Sequence, residues 1–400
     1  MQKKYLVKTL FIALISIQIF LYAFMWFRLL NDPSIKTMDF ISFYTTGRLI
    51  RAGEYHQIYN LDAQTLVQNQ VTVTDSSPLI FAHPPHLIPL LALIANDNYV
   101  TAYVSWTVLS LLVLLICMKL IHQFLLHQKW DTTSAWFGAI GCITFFPLFI
   151  SLLGGQDSVY TVLGLLFWMF GLLKRKEITA GLGLALATLS PTIAGALALP
   201  LFASRRRASI WFVTGMLFFA LYSFLLLGYQ GIKDFIYLLD VNSEAQVYGL
   251  DWSKMYNLFG LLIRSFPNAN EEMIRIIAWS VAGISILMMC LWWWKKGEEI
   301  NISQIGIAVL LGTFTAPHLY LHGLSYLLLP LLGIMVLLYE TGKQTIALLL
   351  VPIISTGLII ILLLIPNWDF NIYYLLMLAL FLGFLFLGNK TANSIEDNKS

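Results

Sequence analysis

The stretch DFISFYTTGRLIRAGEYHQIYN crowds Asp39, Arg48, Arg51 and Glu54 together just beyond a long apolar N-terminal segment. Asp39 follows the end of that segment by about nine residues, which puts it at headgroup depth beside a bilayer. A carboxylate held there and partly desolvated could take the proton of a sugar hydroxyl while a lipid phosphate departs. Aspartate also favours the position just before a helix, so a plain capping role at the start of FISFYTTGRLI stands beside the catalytic one. Arg48 and Arg51 lie three apart on one helical face, and guanidinium forks match phosphate oxygens. Contact with lipid headgroups at large is the ordinary alternative for them.

Further along, FAHPPHLIPLLALIA sets His83 and His86 around a Pro-Pro step, ahead of a short apolar helix that would lie in the interface or dip in from it. Histidines three apart across two prolines are not a helical metal-ligand pair, and His83 reads instead as a phosphate contact. In LLGGQDSVY two glycines make a tight turn and Asp157 reads as the cap of the next helix, which leaves Gln156 over. GTFTAPHLYLHGLSYLLLP has His318 and His322 four apart, but Pro317 and Gly323 interrupt the helix and no Glu follows the first His as in a zincin motif. A histidine that orients a sugar or phosphate accounts for this pair better than zinc does. The candidate residues are thus Asp39 for catalysis, with Arg48, Arg51, His83, Gln156, His318 and His322 for binding. No cofactor or metal site is indicated.

The elements that must position these groups are membrane helices. Hydrophobic residues make up 58% of the 400 and charged ones only 11%, against roughly 25% charged in a soluble domain, and mean hydropathy is +0.77. The chain therefore reads as an all-α polytopic integral membrane protein. Spanning-length apolar runs fall at 9–30, 99–121, 134–153, 158–173, 209–229, 273–294, 302–316, 324–339, 345–365 and 372–388. With the shorter stretches at 81–95 and 178–203, they predict about 10–13 transmembrane helices. The net charge of +3 comes from scattered basic residues, which gives no footprint for nucleic acid. Cys117, Cys142 and Cys290 lie unpaired within apolar segments and read as packing residues.

A cytoplasmic N-terminus places about 16 of the 24 lysines and arginines inside, including KRK at 174–176 and RRR at 205–207. Both flanks of 178–203 then share one side, which predicts a hairpin with its tip near Ser190–Pro191. The expected organisation is one membrane domain over 1–400. It comprises a first uncleaved helix at 1–30, a large outer loop with interfacial helices at 31–98, a bundle at 99–388 and a polar, disordered cytoplasmic tail at 389–400. The expected setting is the inner (plasma) membrane, with both termini cytoplasmic. The outer face collects 31–98, LLGGQDS, 230–272, APHLYLHG and PNWDFN, and with them every candidate residue.

In this order, DFISFYTTGRLIRAGEYHQIYN, FAHPPHLIPLLALI, GGQDS, AGLGLALATLSP and APHLYLHGLSYLLLPLL resemble the glycosyltransferase 87 family of polyprenol-phosphate-mannose-dependent transferases with the GT-C membrane fold. The likeness runs over roughly 40–330, with Asp39, Tyr44, Gly53 and Tyr59 in the first motif. It implies inverting transfer of a hexose, mannose above all, from a polyprenyl-phosphate sugar to a lipid or glycan acceptor at the outer face. It also implies Asp39 as the base and His318 or His322 near the donor. The family's hairpin Lys-Pro is Ser190–Pro191 here, and the Asp common after the second histidine position is replaced by Gly323. The competing class, a multi-span transporter or lipid flippase, would show ionisable residues at the bilayer midplane and internal repeats. This chain shows neither. A polymerase or ligase using lipid-pyrophosphate donors would place its key groups in one large late loop, whereas the largest outer loop here is the early one.

Overall fold

The computed structural model describes residues 2–71, 78–244, 252–297, 299–364 and 369–397. All regular structure among them is helical. The α-helices are α1 (Gln2–Leu30), α2 (Phe40–Arg51), α3 (Leu61–Asn69), α4 (Ile88–Ile94), α5 (Tyr99–His127), α6 (Thr132–Ile143), α7 (Phe146–Leu153), α8 (Ser158–Leu173), α9 (Glu177–Leu186), α10 (Pro191–Ser204), α11 (Arg206–Glu244), α12 (Leu258–Ser265), α13 (Glu271–Lys296), α14 (Ile302–Thr315), α15 (Leu328–Glu340), α16 (Gln344–Leu364) and α17 (Asp369–Asp397). Short 3-10 turns join several of them, notably Leu321–Leu327 ahead of α15. The protein is an all-α polytopic membrane protein.

Among the described residues, six helices are long and apolar enough to cross a bilayer: α1, α5, α11, α13, α15 with its leading 3-10 turn, and α16. The segment 134–153 is two helices, α6 and α7, bent by 47°. Pro147 lies in the first turn of α7, where a helix loses nothing by its missing N–H. The N–H of Phe146 donates to Ser355 Oγ at 3.2 Å. α8 and α14 have 16 and 14 residues, short of the roughly 20 that span hydrocarbon, and are buried along most of their length. Of PNWDFN, 366–368 lie outside the described residues and 369–371 open α17. α17 continues to Asp397, through the tail that the composition reads as disordered; a helix already nucleated extends at low cost.

Small residues bring the central helices together. A Cβ on Gly171 of α8 would stand 2.4 Å from the Ala180 backbone N of α9, and one on Gly164 would stand 2.6 Å from the Ala187 backbone N. Backbones this close gain dispersion contacts along both helices, the main attraction available between helices in lipid. α9 also packs against α11, while α10, which starts at Pro191, packs against α13 and α14. Ser190 is thereby held at the tip between them.

Gly171→Ala should lower the unfolding free energy by about 1–3 kcal/mol or more, because backbone rather than a mobile side chain must yield. Gly195→Ala on α10, with open space around it, should be neutral or gain up to about 1 kcal/mol in helix propensity. Denaturant unfolding of the purified variants in detergent checks the pair; equal midpoints would refute the close-packing argument.

Candidate active site

His83 is placed by a clasp of glutamines. Gln64 and Gln68 lie one turn apart on α3 and bond the extended backbone beside them as a neighbouring strand would. Phe81 N donates to Gln64 Oε1 at 2.8 Å and Leu79 N to Gln68 Oε1 at 3.0 Å, while the two side-chain amides donate to Ile58 O and Leu79 O at 2.8 and 2.7 Å. The Tyr59 hydroxyl donates to His83 O at 2.7 Å, and burial pushes its pKa well up, so it stays a donor. Phe43 and Phe81 flank the imidazole, with ring centroids 4.7 and 5.3 Å away.

The GGQDS turn meets α2 from the other side. Gly155 has φ +70°, and a Cβ there would stand 2.6 Å from Phe40 Cβ. Phe40 N donates to Gly154 O at 3.1 Å. Asp39 precedes α2 but makes no capping bond; its carboxylate is exposed and lies beside Gly154. Asp157 precedes α8 and likewise makes no capping bond. It is 5% exposed, and its Oδ2 lies 3.0 Å from His83 Nδ1. A ring that donates Nδ1–H to this carboxylate keeps Nε2 for another partner. Gln156, between the glycines and Asp157, is buried with its Oε1 unpartnered.

The 3-10 turn Leu321–Leu327 closes the site. His322 interacts electrostatically with Asp39, Asp157 and His83. The Tyr326 hydroxyl lies among those of Ser158, Thr161 and Ser190 and feels the charge of Asp157. His86 stacks on Phe219 at 4.3 Å. Burial pushes its imidazole down to about 4 against the opposing pull of Asp157, so at neutral pH the ring is uncharged. The result is a cluster of an exposed carboxylate, Asp39, two half-buried histidines, His83 and His322, and the buried carboxylate of Asp157 near the hydroxyls around Tyr326.

Of the residues marked in the sequence, the structure brings together Asp39, His83, Gln156 and His322. Arg48 and Arg51 both pair with Asp97, Arg51 at 3.2 Å. From Asp39 they lie nine and twelve residues along α2, or about 14 and 18 Å of helix axis. His318 instead lines a cavity beside α12 and α13. Asp157 and Tyr326 escaped sequence reasoning, the first because an aspartate before a helix reads as a cap. Tyr326 shows no signal beyond its place in an apolar run. Among the described residues no group of three or more His, Cys, Asp or Glu could hold a metal ion.

A family model, Glycosyltransferase family 87, matches residues 81–317, more than half of the chain. The chain belongs to glycosyltransferase family 87. Its activity is thus the transfer of a sugar from a donor to an acceptor. The matched residues include His83, His86, Gln156, Asp157 and Ser190, whereas Asp39, Arg48, Arg51, His318, His322 and Tyr326 lie outside them. For these six it is geometry that relates them to the family 87 region. Comparison with curated proteins finds no match, and neither does comparison with solved structures.

In this family 87 protein Asp157→Asn should cost about 10- to 100-fold in sugar transfer, the worth of a charge-assisted hydrogen bond of about 1.5–3 kcal/mol. His83→Gln should cost a similar factor. Since both act through one bond, the double variant should be little worse than the poorer single one. Steady-state transfer by variants that elute as folded protein measures this; independent, multiplying losses would refute the pairing.

Proposed function

We propose that the protein is a GT-C-type glycosyltransferase that moves a hexose, mannose in the first instance, from a polyprenyl-phosphate sugar to a lipid or glycan acceptor. The reaction takes place at the outer face of the inner membrane, with both termini in the cytoplasm and inversion at the anomeric carbon. The observation that carries this reading is Asp39, a carboxylate free of any capping bond, in a cluster with His83, Asp157 and His322.

In this reading Asp39 takes the proton from the acceptor hydroxyl as the hydroxyl oxygen bonds to the anomeric carbon. The bond from that carbon to the phosphate oxygen breaks on the opposite side, and the phosphate leaves with the electron pair. Phosphate leaves readily, so no general acid is needed. Donors aimed at its oxygens stabilise the charge that grows there in the transition state. His83 suits that role, because in its protonated form it would donate through Nε2 to a phosphate oxygen while Nδ1 remains on Asp157. His322 faces the same space, and Tyr326 and Ser190 offer hydroxyls. Arg48 and Arg51, paired with Asp97, then serve surrounding lipid headgroups rather than the donor. A polyprenyl chain needs a lipid-facing approach, which a bundle of membrane helices provides.

Purified protein incubated with labelled polyprenyl-phosphate mannose and a membrane lipid extract should give a labelled lipid or glycan product. Asp39→Asn should fold and express as the parent chain yet lose transfer by about three orders of magnitude or more, since it lacks the base. Full activity in that variant would remove Asp39 from the role. Transfer from a nucleotide sugar with no lipid carrier present would overturn the donor.

A further inference from the structure

A cavity of about 250 Å³ opens at the end of α14, and none of the Asp39-cluster residues lines it. Trp252, Phe259, Arg275, Trp279, Thr315 and His318 line it. Its walls come from stretches distant in sequence that are bolted together. Asn257 donates to Ala316 O at 2.7 Å and Pro317 O at 2.9 Å, its Oδ1 caps α12 by accepting from Gly260 N at 2.8 Å, and Tyr256 N donates to Leu319 O at 2.8 Å. Trp252 and Phe259, with Met255 and Ile274, form a small apolar cluster separate from the main core. A rim braced in this way is formed before anything binds, which lowers the cost of binding.

The chemistry of the lining selects the ligand. The Arg275 guanidinium lies over the Trp252 ring at 5.0 Å and pairs with Glu271 at 3.4 Å, so it is already shared between an indole and a carboxylate. His318 is pushed below its usual range by burial and adds no positive charge at neutral pH. Among the described residues, Arg275 is thus the one cation of the lining, and a phosphate would have to compete with Glu271 for it. What the cavity offers besides is the ring of Trp279, 57% exposed, and the buried His318 Nδ1, which has no hydrogen-bond partner. A sugar ring matches both: its C–H face stacks on an indole, and a hydroxyl either donates or accepts, so it satisfies Nδ1 in either tautomer. The volume lies just below the usual range of about 300–1,000 Å³ for ligand pockets, enough for one ring and not for a lipid-linked oligosaccharide.

We propose that this cavity is a hexose-binding subsite that holds a sugar ring of the acceptor. The assignment to the acceptor rests on the function proposed above, in which the donor sugar occupies the Asp39 cluster. His318 and His322 are four residues apart, so their Cα atoms lie within about 14 Å. That separation is a sugar unit or two from the reacting centre.

The test is photolabelling of the full chain in phosphatidylethanolamine–phosphatidylglycerol nanodiscs, which does not depend on catalysis. One probe is an octyl mannoside with a diazirine next to the sugar; the other is a phosphatidylglycerol with a diazirine in its headgroup. The mannoside should label peptides that contain Trp252–Phe259 and 315–319. Excess methyl mannoside should cut that label at least fivefold, and so should His318→Ala or Trp279→Ala, the latter an exposed position where folding is not at risk. Gly195→Ala, with open space around it and outside both sites, should label as the parent chain does. Absence of mannoside label in the parent chain, label that methyl mannoside does not displace, or stronger labelling of the cavity by the phospholipid probe would each overturn the proposal. Labelling that behaves as expected, in a protein that fails to use polyprenyl-phosphate mannose, would support the sugar site and reject the donor.

Discussion

The buried carboxylate of Asp157 is the constraint around which the site is organised. An ionised carboxylate withdrawn from water costs far more than an ordinary hydrogen bond returns, unless a polar partner is delivered to it. His83 is that partner, at 3.0 Å. Bringing it there requires most of the segment between α2 and α5. Tyr59 holds the His83 carbonyl, Gln64 and Gln68 hold the backbone leading to it, and Phe43 and Phe81 flank the ring. The turn that carries Asp157 also presses Gly155 onto Phe40, the neighbour of Asp39. The two carboxylates are therefore set by one contact, and moving either disturbs both.

The bundle contributes position rather than charge. Glycines on α8 and α9 allow a backbone approach that any side chain would block, and this fixes where α9 ends and Ser190 turns. Tyr326 reaches Ser190 from a segment buried along almost its whole length. The short helices α8 and α14 make sense in the same way: a helix that stops part-way through the bundle brings a loop with polar side chains into the protein interior. Irregular backbone at such depth is tolerable where it is enclosed by protein or lines a cavity.

Much of this architecture was legible in composition and in the punctuation of apolar runs. The helical class, the break at Ser190–Pro191 and the interest of Asp39, His83 and Gln156 all came from local residue type. What stayed hidden depended on non-local contact. Asp157 looked like a cap because an aspartate before a helix usually is one, and only the approach of His83 from 74 residues away gives it a different partner. The clasp by Gln64 and Gln68 has no sequence period, since its other half is extended backbone. Arg48 and Arg51 looked fit for phosphate because nothing local reveals that Asp97 lies across from them. The segment 134–153 has the length and apolarity of one span, and neither quantity registers the bend before Pro147.

The two late histidines show how a spacing rule fails when the backbone changes. Residues four apart share a face only on a continuous helix. α14 ends at Thr315, and the carbonyls of Ala316 and Pro317 are taken by Asn257 instead of by a further turn. The 3-10 turn begins only at Leu321. His318 therefore lines the cavity beside α12 and α13, while His322 sees Asp39 and Asp157. Within the proposed chemistry this divergence has a use. An inverting displacement needs nucleophile and leaving group on opposite faces of the sugar, so acceptor and phosphate must approach from different sides. A segment that sends one histidine to the Asp39 cluster and the other to a separate cavity can hold both partners of such a reaction without making them compete for the same space.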